Sequence, residues 1–135
     1  MKKVTYASWV STLIENLSDY LNFSGWEISI HQAGEGKAPN PNTYACIDID
    51  STYQMAEITL FPIAKEDFDS GNIDRLAARL VHELVHIFID PFNSHATPFL
   101  SDTTRPFFTS TMENATQKLT MVLLKNLPKS IIPPR

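Results

Sequence analysis

The chain has 135 residues, enough for one domain with a substantial core, since 43% are hydrophobic and 10% aromatic. Charged residues make up 19%, the formal net charge is −4, and the Lys and Arg residues are scattered, which argues against nucleic acid as the main partner. No run of about 18 apolar residues occurs, so no transmembrane helix is expected, and the single cysteine, Cys46, excludes a disulfide framework.

Met1-Lys2-Lys3 looks like the start of a signal sequence. The stretch from Val4 to Tyr20, however, holds Ser8, Ser11, Thr12, Glu15, Asn16, Ser18 and Asp19, too polar for a signal core. A cytoplasmic location is the simplest expectation. Residues 4–22 read instead as an amphipathic helix, with Tyr6, Val10, Leu13, Ile14, Leu17 and Leu21 at spacings of three and four. Such a helix backs a sheet.

Trp26 to His31 alternates apolar and polar, as a half-buried strand does. Residues 32–42 hold Gly34, Gly36, Pro39 and Pro41 and read as a loop. Tyr44 to Asp50 alternates again and carries Cys46, which reads as a buried strand residue. Residues 51–54 suit a hairpin connection. Met55 to Phe61 is the third strand, stopped by Pro62, and a proline at a strand end suits a sheet edge. Three closely spaced strands favour a mainly antiparallel sheet, so the expected fold class is α+β.

The stretch from Ala64 to Gly71 reads as a connection. Asn72 is a good N-cap and Asp74 suits a first helical turn. The helix that follows is predicted to run to about Ile89, ahead of Pro91. It contains His82-Glu83-Leu84-Val85-His86, the pattern H-E-x-x-H. Residues four apart share a helix face, so His82 and His86 can present two imidazole nitrogens to one metal ion. Glu83 is turned by about 100° from His82. It is placed to take a proton from a metal-bound water, the reason for this spacing in metallopeptidases. Shuffling this composition yields the pattern in roughly 0.5% of cases. The flanking Leu80, Val81, Leu84, Val85, Ile87, Phe88 and Ile89 make the helix a buried one, where a charged Glu83 needs a partner or a metal. Without a metal, the two histidines would have to be satisfied by buried hydrogen bonds. Arg75 and Arg79 lie on the same helix face and are expected to pair with Glu57 or Asp67 at the surface.

Residues 92–105 look irregular. A last helix is predicted over about 107–126, opened by Pro106 or Thr109, with Leu119, Val122, Leu123 and Leu127 as its apolar face. Ile131 to Arg135 reads as a loose tail, long enough to reach a nearby cleft. The expected domain is 1–127, with 128–135 as the tail. An exposed Phe107–Phe108 pair would mark an interface.

A catalytic zinc takes three protein ligands and keeps one position open. A further His ten residues after His82 is absent, because Phe92 stands there. The downstream acids are Asp90, at the helix end; Asp102, in a loop; and Glu113, on the last helix. A helix-borne carboxylate is a stiff ligand, and Asp102 remains open beside it.

The order helix, three strands, H-E-x-x-H helix, loop and Glu-bearing helix resembles the gluzincin zinc metallopeptidases. In particular it resembles the small minigluzincins and the short zincin-like proteins of bacteria and phages. The resemblance spans residues 4–127 as an architecture and rests on His82, Glu83, His86 and Glu113. It implies a peptidase in which His82, His86 and Glu113 hold Zn²⁺ and Glu83 is the general base, acting on a peptide or protein substrate laid along strand 55–61. It places Gln117 where an acid would orient the first histidine. Larger members use a His or Tyr beyond the Glu helix at the oxyanion, and none follows Glu113 here. His95 is the favoured substitute, ahead of Arg105, Tyr44 and Tyr53. The alternative is a weakly active or inactive zincin-like protein that holds a protein partner, its fourth metal position filled by Asp102 or the tail.

Overall fold

The computed structural model describes residues 2–135; Met1, which opens the expected domain, lies outside the described residues. The elements in order are α1 (Tyr6–Tyr20), β1 (Glu27–Gln32), β2 (Ala45–Asp50), β3 (Met55–Leu60), α2 (Pro62–Ser70), α3 (Ile73–Ala96) and α4 (Arg105–Asn126). Short 3₁₀ turns occupy Thr97–Phe99 and Lys129–Ile131. The fold is α+β, as expected. No helix among the described residues is long and apolar enough to cross a membrane.

The apolar period of α1 is as predicted, and a cap that the sequence reading passed over fixes its start. Thr5 caps its first turn, and Thr5 and Ser8 satisfy each other's backbone N–H groups in a capping box. Trp9, Val10, Leu13 and Leu17 are wholly buried in the core that α1 shares with α2, α3 and the sheet.

The sheet differs from expectation. Its order is β1-β3-β2, so β3 is the centre and not an edge. The β2–β3 hairpin is antiparallel as predicted, but β1 runs parallel to β3. Residues 33–44 carry the chain from β1 past β3 to the far edge, and the hairpin then brings β3 back into the middle. The sheet is therefore mixed. Its alternation reads as predicted: Ala56, Ile58 and Leu60 of β3 are buried, while Met55 and Glu57 face out. Cys46 is exposed, not buried, because Ala45, Ile47 and Ile49 take the inward phase of β2.

Between β3 and α3 lies α2, a helix where a connection was expected. Pro62 sits in its first turn, where a missing N–H is harmless. Gly71 ends it in the left-handed region at φ 87°, which glycine adopts without strain. In α3, Asn72 takes the N-cap position without a side-chain capping bond. Pro91 does not end the helix, which continues to Ala96. The Asp90 carboxylate accepts from Ser51 Oγ at 2.7 Å and from Ser94 Oγ at 3.3 Å, tying the turns on either side of Pro91.

The face of α4 also differs. Its fully buried side chains are Thr116 and Thr120, while Leu119, Leu123, Leu124 and Leu127 are partly buried and Val122 is 56% exposed. Each threonine hydroxyl donates back to the carbonyl four residues earlier, at 2.9 and 2.8 Å. That satisfies the hydroxyls inside the protein, and their small size lets α4 approach α3 closely. The tail is docked, not loose. Trp9 Nε1 donates to the Pro133 carbonyl at 2.8 Å and Asn16 Nδ2 to that of Ile131 at 2.9 Å. Arg135 Nη1 reaches the Phe68 carbonyl at 2.7 Å.

Candidate metal centre

Two helices build the site. His82 and His86 lie one turn apart on α3, with ring centroids 4.9 Å apart and planes at 84°. The α4 helix crosses beside them with Thr116 against α3, which brings Glu113, one turn earlier, onto the histidines. Glu113 Oε1 is 2.9 Å from His82 Nε2, and Oε2 is 3.6 Å from His86 Nε2. One ligand atom from each of the three residues lies within 4.8 Å of the other two. Behind them, Gln117 Oε1 lies 3.0 Å from His82 Nδ1. An amide oxygen can only accept, so this contact favours a proton on Nδ1, and with a cation between them Nε2 and the Glu113 oxygen would both face it as ligand atoms.

These residues fit a metal ion. Two imidazole nitrogens and one carboxylate oxygen converge, which matches the three-ligand donor set of a catalytic zinc site. Burial lowers the pKa of His86 despite the opposing charge of Glu113, which favours the neutral, metal-binding imidazole. Asp102, the other candidate ligand, is 98% exposed and pairs with Arg105 at 3.2 Å, away from the cluster. The tail binds α1 and the end of α2 and does not enter the cleft.

The cleft measures about 590 Å³ and runs between β2, α3 and α4. Its walls include Ala45 to Ile49, His82, Glu83, His86, Asp90, Asn93, Thr109, Met112 and Glu113. Glu83 is therefore in the cleft wall beside the cluster. Its carboxyl is pushed up from its ordinary value to about 7, first by burial and second by the charge of Glu113, with Arg79 acting in the opposite direction. A carboxyl of that strength can take and return protons near neutral pH.

His95 does not line the cleft. The loop expected to carry it is the last turn of α3, because the helix continues past Pro91, and His95 is exposed there. Arg105, Tyr44 and Tyr53 do not line it either. Tyr44 Oη instead donates to buried Asp67 at 2.8 Å, and Tyr53 is 74% exposed in the β2–β3 turn. Asn93 and Thr109 are polar wall residues that the sequence reading passed over. Asn93 was hidden by the assumption that the helix stopped at Pro91. The expected partner of Arg75 is Asp67, 3.4 Å away, but the pair is not a surface one, since the Asp67 side chain is 7% exposed.

The chain matches no family model, no curated protein and no solved structure. Its own geometry therefore carries the functional reading.

Proposed function

We propose that the protein is a zinc-dependent peptidase of gluzincin type, hydrolysing peptide bonds with Glu83 as general base. The observation that supports this most is the convergence of His82, His86 and Glu113 from two helices at an open cleft, with Glu83 in its wall. Bound zinc would act as a Lewis acid and lower the pKa of its water towards ~7. His82 and His86 would offer Nε2 and Glu113 a carboxylate oxygen, while Gln117 holds the His82 tautomer. Glu83 takes a proton and returns it to the departing amine. The free edge of β2, not β3, lies along the cleft, so β2 is the strand able to add an extended peptide by main-chain hydrogen bonds.

A second reading is a protein that holds a partner at the same cleft without cutting it. One observation favours it: among the described residues no Tyr, and no His beyond His82 and His86, lines the cleft to stabilise an oxyanion.

Zinc content and peptide hydrolysis test both readings. Wild type and Asp102→Ala are expected to hold one zinc per chain, and Glu113→Ala to lose it. Glu83→Gln should keep zinc and lose turnover by about 10²–10⁴-fold, the range for a general base. Full turnover in that variant removes Glu83 from its role. Stoichiometric zinc with no hydrolysis of any peptide favours the binding protein.

A further inference from the structure

The cleft is electrically polarised along its length. Two contacts show that β2 and α3 run in the same direction. Tyr44, just before β2, lies against the start of α3, with the guanidinium carbons of Arg75 and Arg79 each 5.7 Å from its ring centre. Ser51, just after β2, bonds Asp90 near the other end. Arg75 is neutralised by buried Asp67. Arg79 makes no ion pair among the described residues and is exposed. It is held by the Tyr44 ring one turn before Glu83, immediately beyond the cleft. At the opposite end Asp90 lines the wall, and no Lys or Arg among the described residues lines the cleft.

Spacing relates these charges to the reacting centre. One helical turn of four residues is ~6 Å along α3, about two residues of extended chain at ~3.3 Å each. Arg79 stands one turn before Glu83, and Asp90 one turn after His86. A peptide adding to the free edge of β2 in the antiparallel sense, the more stable pairing, places its C-terminal part at Arg79. Its N-terminal part then lies at Asp90.

We infer that the cleft selects an extended peptide with a carboxylate about two residues C-terminal to the reacting bond and a basic group about two residues N-terminal to it. Arg79 recognises the carboxylate, and Asp90 recognises the basic group. The carboxylate is an Asp or Glu side chain or a free C-terminus; the basic group is Lys, Arg or a free amine. The inference deepens the peptidase reading and takes its cleft from it, but binding alone can test it.

The experiment uses fluorophore-labelled peptides and the zinc-supplied Glu83→Gln protein, with binding read by fluorescence anisotropy. One peptide carries Lys before and Glu after a central apolar pair, and the other has the two exchanged. The first is expected to bind about tenfold tighter or more, since each exposed pair contributes roughly fivefold. Arg79→Glu, an exposed site, should reverse the preference at the C-terminal position, and Asp90→Asn, whose amide oxygen can still accept from Ser51 and Ser94, should abolish it at the N-terminal one. Amidated peptides that lack the side-chain acid separate a free C-terminus from Glu as the source of the carboxylate. Equal binding of the two peptides, no binding of either, or an unchanged preference in both Arg79→Glu and Asp90→Asn overturns the inference. Wild-type cleavage is then measured on the same pair. The charge preference without cleavage leaves this inference standing and removes the peptidase reading. Cleavage of both peptides without preference does the reverse.

Discussion

The raised pKa of Glu83 makes a quantitative prediction for the metal-stripped protein. Its carboxyl moves from 4.5 to about 7 on folding, chiefly because the cleft wall withdraws it from water. Below pH 4.5 the group is protonated in both states and contributes no pH dependence. Between 4.5 and 7 the folded state keeps a proton that the unfolded chain has lost, so the stability of the folded state falls as pH rises. Each pKa unit corresponds to ~1.4 kcal/mol, so the full fall approaches about 3 kcal/mol by pH 7. Above 7 both states are ionised and the difference levels off. Glu83→Gln carries no such group. Urea unfolding of stripped wild type and Glu83→Gln from pH 4 to 8 isolates the effect, because other titrations are common to both proteins. Wild type should lose up to about 3 kcal/mol relative to the variant across that window. A difference that stays flat with pH would show that the Glu83 carboxyl is solvated in both states, and the argument for its proton-transfer role would fall.

Three further outcomes follow from the packing. Gln117→Leu removes the acceptor behind His82 and should weaken zinc binding by about 10–100-fold in chelator competition, the range for such supporting contacts; Gln117→Glu should strengthen it. Thr116→Leu forces extra methylenes into the α3–α4 contact, and should cost about 1–3 kcal/mol in thermal unfolding and loosen zinc as Glu113 moves away. Removing residues 128–135 strips Ile131 and Ile132 from the core and the acceptors from Trp9 and Asn16. A loss of about 3 kcal/mol with unchanged zinc affinity is expected, together with a shift in Trp9 fluorescence.

The parts of the fold that were legible are those set by local period. Residues of α1 repeat at three and four, and β2 and β3 alternate, because each buries one face against a single core. The parts that were not legible depend on partners distant in sequence. Nothing in Glu27 to Gln32 states that its neighbour is β3 and that the pairing is parallel; that follows from where residues 33–44 deliver the chain. The docked tail was equally hidden, since its anchors, Trp9 and Asn16, lie 124 and 115 residues away. By contrast, α2 carried readable signals: Pro62 and Gly71 are a first-turn proline and a terminal glycine nine residues apart. Pro62 was read only as the end of a strand, and a proline serves both purposes.

At the site, His82, Glu83 and His86 announce themselves because their spacing is chemical and local. Glu113 is harder to place, and the reason lies in α4. A search for apolar periodicity finds Leu119, Val122 and Leu123, which are partly buried or exposed. The face that packs on α3 is polar: Glu113, Thr116, Gln117 and Thr120 stand at spacings of three, four and seven. Thr116 and Thr120 satisfy their own hydroxyls on the preceding turn, so they can be buried without a partner on α3. Small, self-satisfied residues at that crossing keep the helices close enough for Glu113 and Gln117 to reach the two nitrogens of one imidazole, His82 Nε2 at 2.9 Å and Nδ1 at 3.0 Å. A bulky apolar stripe would bury more surface and hold the helices further apart. The weak amphipathicity of α4 thus goes with its close approach to α3, and a polar stripe at helical spacing downstream of H-E-x-x-H is the signal that locates Glu113, the third member of the cluster.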